Sequence, residues 1–111
     1  MTEFDNQLTI SEIVGTNKPA ILIYHAKWCM PCKSILQTMT DLHSNFGDDV
    51  QITTINVDEF PIVALEQTVR AVPTVQYYKD GALYLKESGF RTKDQLKRNI
   101  DALLTIKNIE G

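Results

Sequence analysis

Residues 20–33 decide the fold of this chain, and their sequence is AILIYHAKWCMPCK. The first six form a short apolar run, rich in β-branched and aromatic side chains, which predicts a buried β-strand. The apolar residues that follow Cys32 recur with the period of an α-helix. The two cysteines of the chain, Cys29 and Cys32, therefore lie where a strand ends and a helix begins.

The helix predicted after Cys32 is amphipathic. Its apolar residues are spaced i, i+4, i+7 and i+11, which places them on one face of a helix; they are Ile35, Met39, Leu42 and Phe46. Gly47 follows the last of them, and glycine is typical of a helix C-terminus. We expect this helix to cover one face of a sheet that contains the preceding strand.

Three more strands are predicted further along the chain. Alternating or β-branched segments occur at residues 51–57, 74–78 and 82–87. Asp80-Gly81 separates the last two and is a strong signal for a tight hairpin turn. We therefore expect the last two strands to pair in antiparallel fashion.

The other helices are predicted at residues 8–14, 62–69 and 92–104. In the second of these, Ile62, Leu65 and Val69 fall on one side. The third opens with a capping box, Thr92-Lys93-Asp94-Gln95. In the order α-β-α-β-α-β-β-α, helical crossovers predict parallel strands and the final hairpin antiparallel ones. An α/β fold with a small mixed sheet and helices on both faces follows.

Length and composition describe one ordinary globular domain. The chain has 111 residues, of which 43% are hydrophobic and 23% charged, with a formal net charge of -3. This size fits a single domain over residues 1–111. The mild acidity argues against nucleic acid or an anionic membrane as the main partner. The N-terminal residues do not resemble a signal peptide, and no apolar run approaches ~20 residues, so we expect a cytoplasmic protein outside the membrane.

The cysteine pair carries the chemistry that the sequence predicts. A cysteine at a helix N-terminus meets free backbone N–H groups and the positive end of the helix dipole, and both favour the thiolate. Cys32 follows three residues later on the same helical face, so the two sulfurs can meet. We expect Cys29 to project outward as the nucleophile and Cys32 to lie deeper and resolve the mixed disulfide.

Two other interpretations of the cysteine pair remain open at this stage. A structural disulfide closing a four-residue loop would contribute only about 2 kcal/mol in the loop-entropy expression. A zinc site needs four ligands, and His43 lies roughly 16 Å beyond Cys32 along the same predicted helix. His25 would supply a third ligand and leave the fourth missing. A metal cluster that bridges two chains is a further possibility.

The sequence resembles the thioredoxin family. Its block Trp28-Cys29-Met30-Pro31-Cys32-Lys33 matches the family's active-site signature, with Met30 where the family usually has glycine. The later segments that match in order and spacing are Asn56-Val57-Asp58, Val72-Pro73-Thr74, Asp80-Gly81 and Gly89. The resemblance covers about residues 7–105 and implies a thioredoxin fold, a three-layer α/β/α sandwich around a mixed sheet of four to five strands. The family's first strand would have to fit into residues 2–4, so it is shortened or absent.

The resemblance also implies the remaining parts of a site. Pro73 would follow a cis peptide bond and face the two sulfurs, and Val72 would offer its backbone to an extended peptide. The residues expected to contact a substrate are Trp28, Met30, Pro31, Val72, Thr74 and Gly89. The protein would reduce protein disulfides in electron transport and cell redox homeostasis, without a bound cofactor. A flavoprotein resembling thioredoxin reductase, which draws on NADPH, would restore the dithiol.

Four positions depart from the family pattern, and Met30, already mentioned, is one of them. Ile23 stands where the family usually has a buried aspartate, and Thr54 where it has the lysine that pairs with it. His25 stands where the family usually has a second tryptophan, just beneath the active site. His25 could stabilise the Cys29 thiolate as an imidazolium, pass protons as a neutral ring, or be a packing residue. Met30 could broaden apolar contacts with substrates or be an exposed spacer.

Two classes of function compete. The first is an enzyme, a thiol–disulfide oxidoreductase that cycles between the dithiol and disulfide forms of Cys29 and Cys32. The second is a binding or accessory module with little redox turnover, which the absence of the family's buried charges at Ile23 and Thr54 would fit. Within the enzyme class, an oxidase or isomerase is a further alternative, which the redox potential would decide.

Overall fold

The computed structural model of this chain describes residues 1–106, so the last five residues of the predicted domain lie outside the described part. The elements follow the predicted order, with one short strand added at the N-terminus. In chain order they are β1 (Thr2–Glu3), α1 (Ile10–Val14), β2 (Ala20–His25), α2 (Met30–Phe46), a 3₁₀ turn (Gly47–Asp49), β3 (Gln51–Asn56), α3 (Pro61–Glu66), β4 (Thr74–Lys79), β5 (Ala82–Ser88) and α4 (Lys93–Thr105).

The five strands form one mixed sheet in the order β1-β3-β2-β4-β5. The first three strands of this order are parallel, and β4 and β5 join antiparallel to their neighbours. The central strand β2 is therefore paired along both edges, and its last residue, His25, is in register with Asn56 of β3. This arrangement confirms the predicted fold class and places the end of β2 in the middle of the sheet.

Alternate residues of β2 contribute to two separate cores, one on each face of the sheet. Ile21 and Ile23 belong to the cluster formed with α2 and α4, which contains Ile35 and Met39 among others. Leu22 and its alternating neighbours belong to the cluster formed with α1 and the residues around α3. The buried apolar run of β2 is explained by this burial on both faces, and the result is a three-layer α/β/α sandwich.

The local signals for turns and helix ends have the expected structural counterparts. The Thr92 side chain accepts the Gln95 backbone N–H, and the Gln95 side chain accepts the Thr92 N–H, which completes the predicted capping box of α4. Asp80 and Gly81 both have positive φ angles, of 52° and 79°. Such angles at both central residues are those of the tight hairpin turn that aligns β4 with β5.

The residues of α3 that pack inward are not Ile62 and Leu65, the two that fall on one side in the sequence pattern. Ile62 and Leu65 are 64% and 74% exposed, whereas Ala64 is buried and Val63 packs against the core on the α1 side. Residues 62–65 are all apolar, and four consecutive residues make just over one helical turn. Every face of this six-residue helix therefore carries an apolar residue. The spacing of these residues could therefore not identify the inward face.

Replacing a core leucine of α4 tests the packing of α4 against the sheet. We expect Leu96→Ala to lower the free energy of unfolding by about 2–5 kcal/mol, because a fully buried side chain leaves a cavity. Leu83→Ala is the matched control, since Leu83 is 48% exposed and its truncation should cost no more than about 0.5 kcal/mol. Urea unfolding measures both, and equal losses in the two variants would contradict this assignment of the core.

Candidate active site

The cysteine pair forms the N-terminus of α2. Cys29 is the N-cap residue, with an extended backbone, and Cys32 lies in the first turn. The two side chains form a disulfide, with their Cα atoms 5.3 Å apart. The backbone N–H of Cys32 donates a hydrogen bond to Cys29 Sγ at 3.2 Å. The Cys29 sulfur thus takes the position that a serine or aspartate oxygen has in most helix caps.

Both cysteines are more buried than expected for an outward-projecting nucleophile. Cys29 keeps 4% of its surface exposed and Cys32 none. They form a small cluster with Ala26, and the side chains of Val57 and Val72 pack against it. This covering explains the low exposure of Cys29, although the predicted order, with Cys32 the deeper residue, agrees with the structure.

The segment Val72-Pro73 lies beside the disulfide. The Val72–Pro73 peptide bond is cis, and Val72 packs against the cysteine cluster while Pro73 is buried. The carbonyl of Pro73 accepts a hydrogen bond from the Gly89 N–H at 2.8 Å. Gly89 has a φ of +97°, a backbone conformation that favours glycine. These contacts bring Val72, Pro73 and Gly89 together next to the two sulfurs.

Thr74 holds the Val72-Pro73 segment from the buried side through hydrogen bonds of its side chain. Its side chain is completely buried. The hydroxyl donates to the carbonyl of Ala71 at 2.6 Å and lies 2.9 Å from Ser88 Oγ. The side chain of Thr74 therefore cannot contact a substrate, and the expectation that it would is wrong. Burial is the reason, because Thr74 is the first residue of β4 and already belongs to the sheet.

Large apolar side chains surround the site on its solvent side. Trp28 is 70% exposed, and Met30 and Pro31 are also exposed. The indole N–H of Trp28 donates to Asp58 Oδ2 at 3.0 Å. Asp58 is itself placed by Asn56, whose Oδ1 accepts the Asp58 backbone N–H at 2.9 Å. The orientation of Trp28 therefore depends on the turn that follows β3.

Three neighbouring residues were not identified as site residues from the sequence. Asp58 belongs to a matching motif, but nothing in its spacing indicated the contact with Trp28. Phe90 follows Gly89 and is exposed. Arg70 lines a shallow groove of about 140 Å³ together with Trp28, Val57, Val69, Ala71 and Val72. A large apolar residue directly after a motif glycine, as in Gly89-Phe90, is the one signal that could have been used.

His25 lies half-buried at the carboxyl end of β2. Its Nε2 atom is buried and has no hydrogen-bond partner among residues 1–106. Burial lowers the pKa of His25 from its ordinary value, and the negative charges of Glu3 and Glu59 partly oppose this shift. The neighbouring pair Ile23 and Thr54 is in register between β2 and β3, so no charged pair occupies these two positions.

Two further observations concern metals and membranes. Residues 1–106 contain no group of three or more His, Cys, Asp or Glu side chains that are placed to hold one metal ion. Within the same residues, no helix has the length and apolar character that crossing a membrane requires.

A vicinal cysteine pair at a helix N-terminus, set beside the Val72-Pro73 segment on an α/β/α sandwich, defines a class of protein: the thiol–disulfide oxidoreductases. Comparison with known proteins agrees with this class. The family model described as Thioredoxin matches residues 2–102. The chain belongs to the thioredoxin family.

Individual relatives support the same family, and a solved structure supports the fold. The chain is 30% identical over 97 residues to a thioredoxin of Mycoplasmoides gallisepticum, with 87% of this chain and 96% of the relative covered. It is 28% identical over 95 residues to thioredoxin Y1, chloroplastic, of Arabidopsis thaliana, covering 86% of this chain but only 55% of that protein. The structure of a mutant thioredoxin from Halobacterium salinarum has the same fold, with a TM-score of 0.84, 24% identity and coverage of 96% of this chain and 93% of that one.

Alkylation of the reduced protein tests the difference between the two sulfurs. We expect iodoacetamide to modify Cys29 at least about tenfold faster than Cys32, because only Cys29 keeps exposed surface and its sulfur accepts a helix N–H. Peptide mapping after brief treatment measures both sites. The urea-unfolded protein is the control, in which the two rates should be similar. Faster modification of Cys32 in the folded protein would contradict this order.

Proposed function

We propose that this chain reduces disulfide bonds in other proteins, with Cys29 as the nucleophile and Cys32 as the resolving cysteine. The observation that carries the proposal is the position of Cys29 Sγ, which caps α2 and accepts the Cys32 N–H. A negatively charged sulfur would be stabilised there by the hydrogen bond and by the helix dipole. The thiolate is the reactive form in disulfide exchange.

The first step forms a mixed disulfide. The Cys29 thiolate attacks one sulfur of the substrate disulfide, a new S–S bond joins Cys29 to the substrate, and the second substrate sulfur leaves as a thiolate. That thiolate is protonated by solvent. No electrons are gained or lost in total, because one disulfide has been exchanged for another.

The second step releases the substrate. The Cys32 thiol gives its proton to a base, and its thiolate attacks Cys29 Sγ, so that the Cys29–substrate bond breaks and the substrate sulfur leaves as a thiolate that takes a proton from solvent. The substrate has then gained two electrons, and the chain is left in the Cys29–Cys32 disulfide form. A thioredoxin-reductase-like flavoprotein that draws on NADPH would return two electrons to this disulfide, so the chain itself would need no bound cofactor.

The substrate would bind as an extended peptide across the exposed surface around the disulfide. The backbone of Val72, next to Pro73, would pair with the peptide in the manner of an added strand. The exposed side chains of Trp28, Met30 and Pro31 would supply apolar contacts, and Gly89 leaves room for the peptide. This binding mode needs no cavity, which agrees with the shallow groove beside Trp28.

We also propose that the chain is a single domain that works in the cytoplasm in electron transport and cell redox homeostasis. The support is the use of cysteine: both cysteines of the sequence belong to the site, and none is left for the disulfide framework that is common in oxidising compartments. Protein substrates and a reductase are the proposed partners. Nucleic acid and membranes are not.

Reduction of insulin by dithiothreitol tests the proposed reaction. The wild-type chain should accelerate it, and Cys29→Ser should lose the acceleration completely. Cys32→Ser should instead accumulate a mixed disulfide that mass spectrometry detects. Ser34→Ala is the control, since Ser34 is exposed and lies in α2 two residues after Cys32. Its truncation should leave the rate unchanged. No acceleration by the wild type, together with unchanged substrate binding in Cys29→Ser, would favour a binding module instead.

Truncation of Trp28 tests the docking surface. We expect Trp28→Ala to raise KM for a protein substrate about tenfold, the equivalent of losing one exposed apolar anchor. The rate with a small aromatic disulfide should change little, because such a substrate does not reach the surrounding surface. Tyr84→Ala is the control, since Tyr84 is an exposed aromatic residue on the edge strand β5. An equal loss with both substrates would show that Trp28 acts on the sulfurs and not on docking.

A further inference from the structure

The buried Nε2 atom of His25 is an unusual feature of this structure. Of the buried side-chain nitrogen and oxygen atoms in residues 1–106, it alone has no hydrogen-bond partner. A buried polar group without a partner is costly, and such groups are rare in native proteins. Such an atom is able to accept a hydrogen bond or a proton from a group beside it.

The topology places His25 at the end of β2 over which α2 begins. Alternation along β2 puts His25 on the same face as Ile21 and Ile23, which α2 covers through residues such as Ile35. Since β2 and β3 are parallel, α2 must run back across this face from the carboxyl end of β2. The first turn of α2, with Cys32, therefore lies over the end of β2 that His25 occupies.

The Nε2 atom of His25 is the buried group in this region that can accept a proton, because the other neighbours either do not ionise or are exposed. Ile23 and Thr54, which are adjacent in register, cannot ionise at neutral pH. Glu3 of β1 and Glu59 after β3 act on His25 from exposed positions. Lys33, next to Cys32 in α2, is also exposed.

We propose that His25 Nε2 accepts the proton of the Cys32 thiol when the mixed disulfide is resolved. The inference rests on the proposed function and adds a residue to its second step. The S–H bond of Cys32 breaks, its proton moves to Nε2, and the Cys32 thiolate attacks Cys29 Sγ as the substrate sulfur leaves. His25 later returns the proton to solvent, so the ring is not consumed.

The protonation state of His25 suits this task. Burial lowers its pKa, so the ring is neutral at pH 7 and its lone pair is free. Once the proton has moved, the imidazolium lies beside a newly formed thiolate, and the opposite charges stabilise each other. In the disulfide form Cys32 has no proton to give, which explains why Nε2 is without a partner there.

The pKa of His25 in the two redox forms tests this contact directly. We expect an NMR titration of the wild-type chain to give a pKa for His25 that is lower in the dithiol than in the disulfide form, by about one unit, because the Cys32 S–H donates a hydrogen bond to the neutral ring and protonation of Nε2 would break it. His43 is an internal control in the same spectra, because it lies in the last turn of α2 and away from Cys32. An identical His25 titration in both forms would overturn the proposal.

A variant tests the same contact from the side of the thiol. A mixed disulfide preformed between Cys29 and a coloured aromatic thiol reports the resolving step, because attack by Cys32 releases that thiol. We expect the rate of release in the wild type to fall as the pH drops through the pKa of His25, since only the neutral ring accepts the proton, and His25→Gln to lose this dependence and to react on the order of 10²-fold more slowly at pH 7. His43→Gln is the matched control, and an unchanged pH profile in folded His25→Gln would overturn the proposal.

Failure of this inference can be told apart from failure of the proposed function. If the wild type accelerates insulin reduction but His25 titrates identically in both redox forms, only the role of His25 is wrong. If the wild type does not accelerate insulin reduction, the proposed function fails, and the titration still reports whether His25 and Cys32 share a proton. If His25→Gln does not fold, the wild-type NMR titration decides alone.

Discussion

The hydrogen bond from the Cys32 backbone N–H to Cys29 Sγ fixes both the start of α2 and the position of the reacting pair. The rest of the structure serves to hold this junction in place. The apolar run of β2 is buried on both faces of the sheet, so the strand cannot shift relative to its neighbours. The stripe of α2 is buried against one of those faces, so the helix cannot rotate. The chain between them is short, and its sulfur atoms are therefore held where the helix dipole is strongest.

The second half of the chain supplies the other wall of the site. The β4–β5 hairpin joins the sheet in antiparallel fashion. Val72-Pro73 precedes β4 and Gly89 follows β5, so both lie at the open end of the hairpin. The hydrogen bond between Gly89 and Pro73 ties these two ends together. Thr74 secures the same segment from inside the core. A rigid sheet, and not a loop alone, thus sets the distance between the apolar surface and the disulfide, as precise chemistry requires.

The limits of the sequence interpretation have physical reasons. The α2 stripe, the Asp80-Gly81 turn and the Thr92 cap depend on neighbours in sequence, and all three are present in the structure. The inward face of α3 depends on packing against a distant strand, and its apolar residues at 62–65 could not identify it. The prediction for Thr74 is wrong for the same reason, because its burial results from the sheet around it. The missing partner of His25 is a property of three-dimensional packing that no local pattern contains.

The cap of α2 has a thermodynamic consequence. One sulfur atom both terminates the longest helix of the fold and changes its charge and bonding during the reaction. A thiolate at this position accepts the helix N–H more strongly than a sulfur in a disulfide does. Folding stability and reduction potential are therefore linked in one thermodynamic cycle. A difference of about 1.4 kcal/mol between the folding free energies of the two redox forms shifts the reduction potential by about 30 mV. Substitutions far from the sulfurs that strengthen or weaken the first turn of α2 would therefore also tune how readily the protein gives up its electrons.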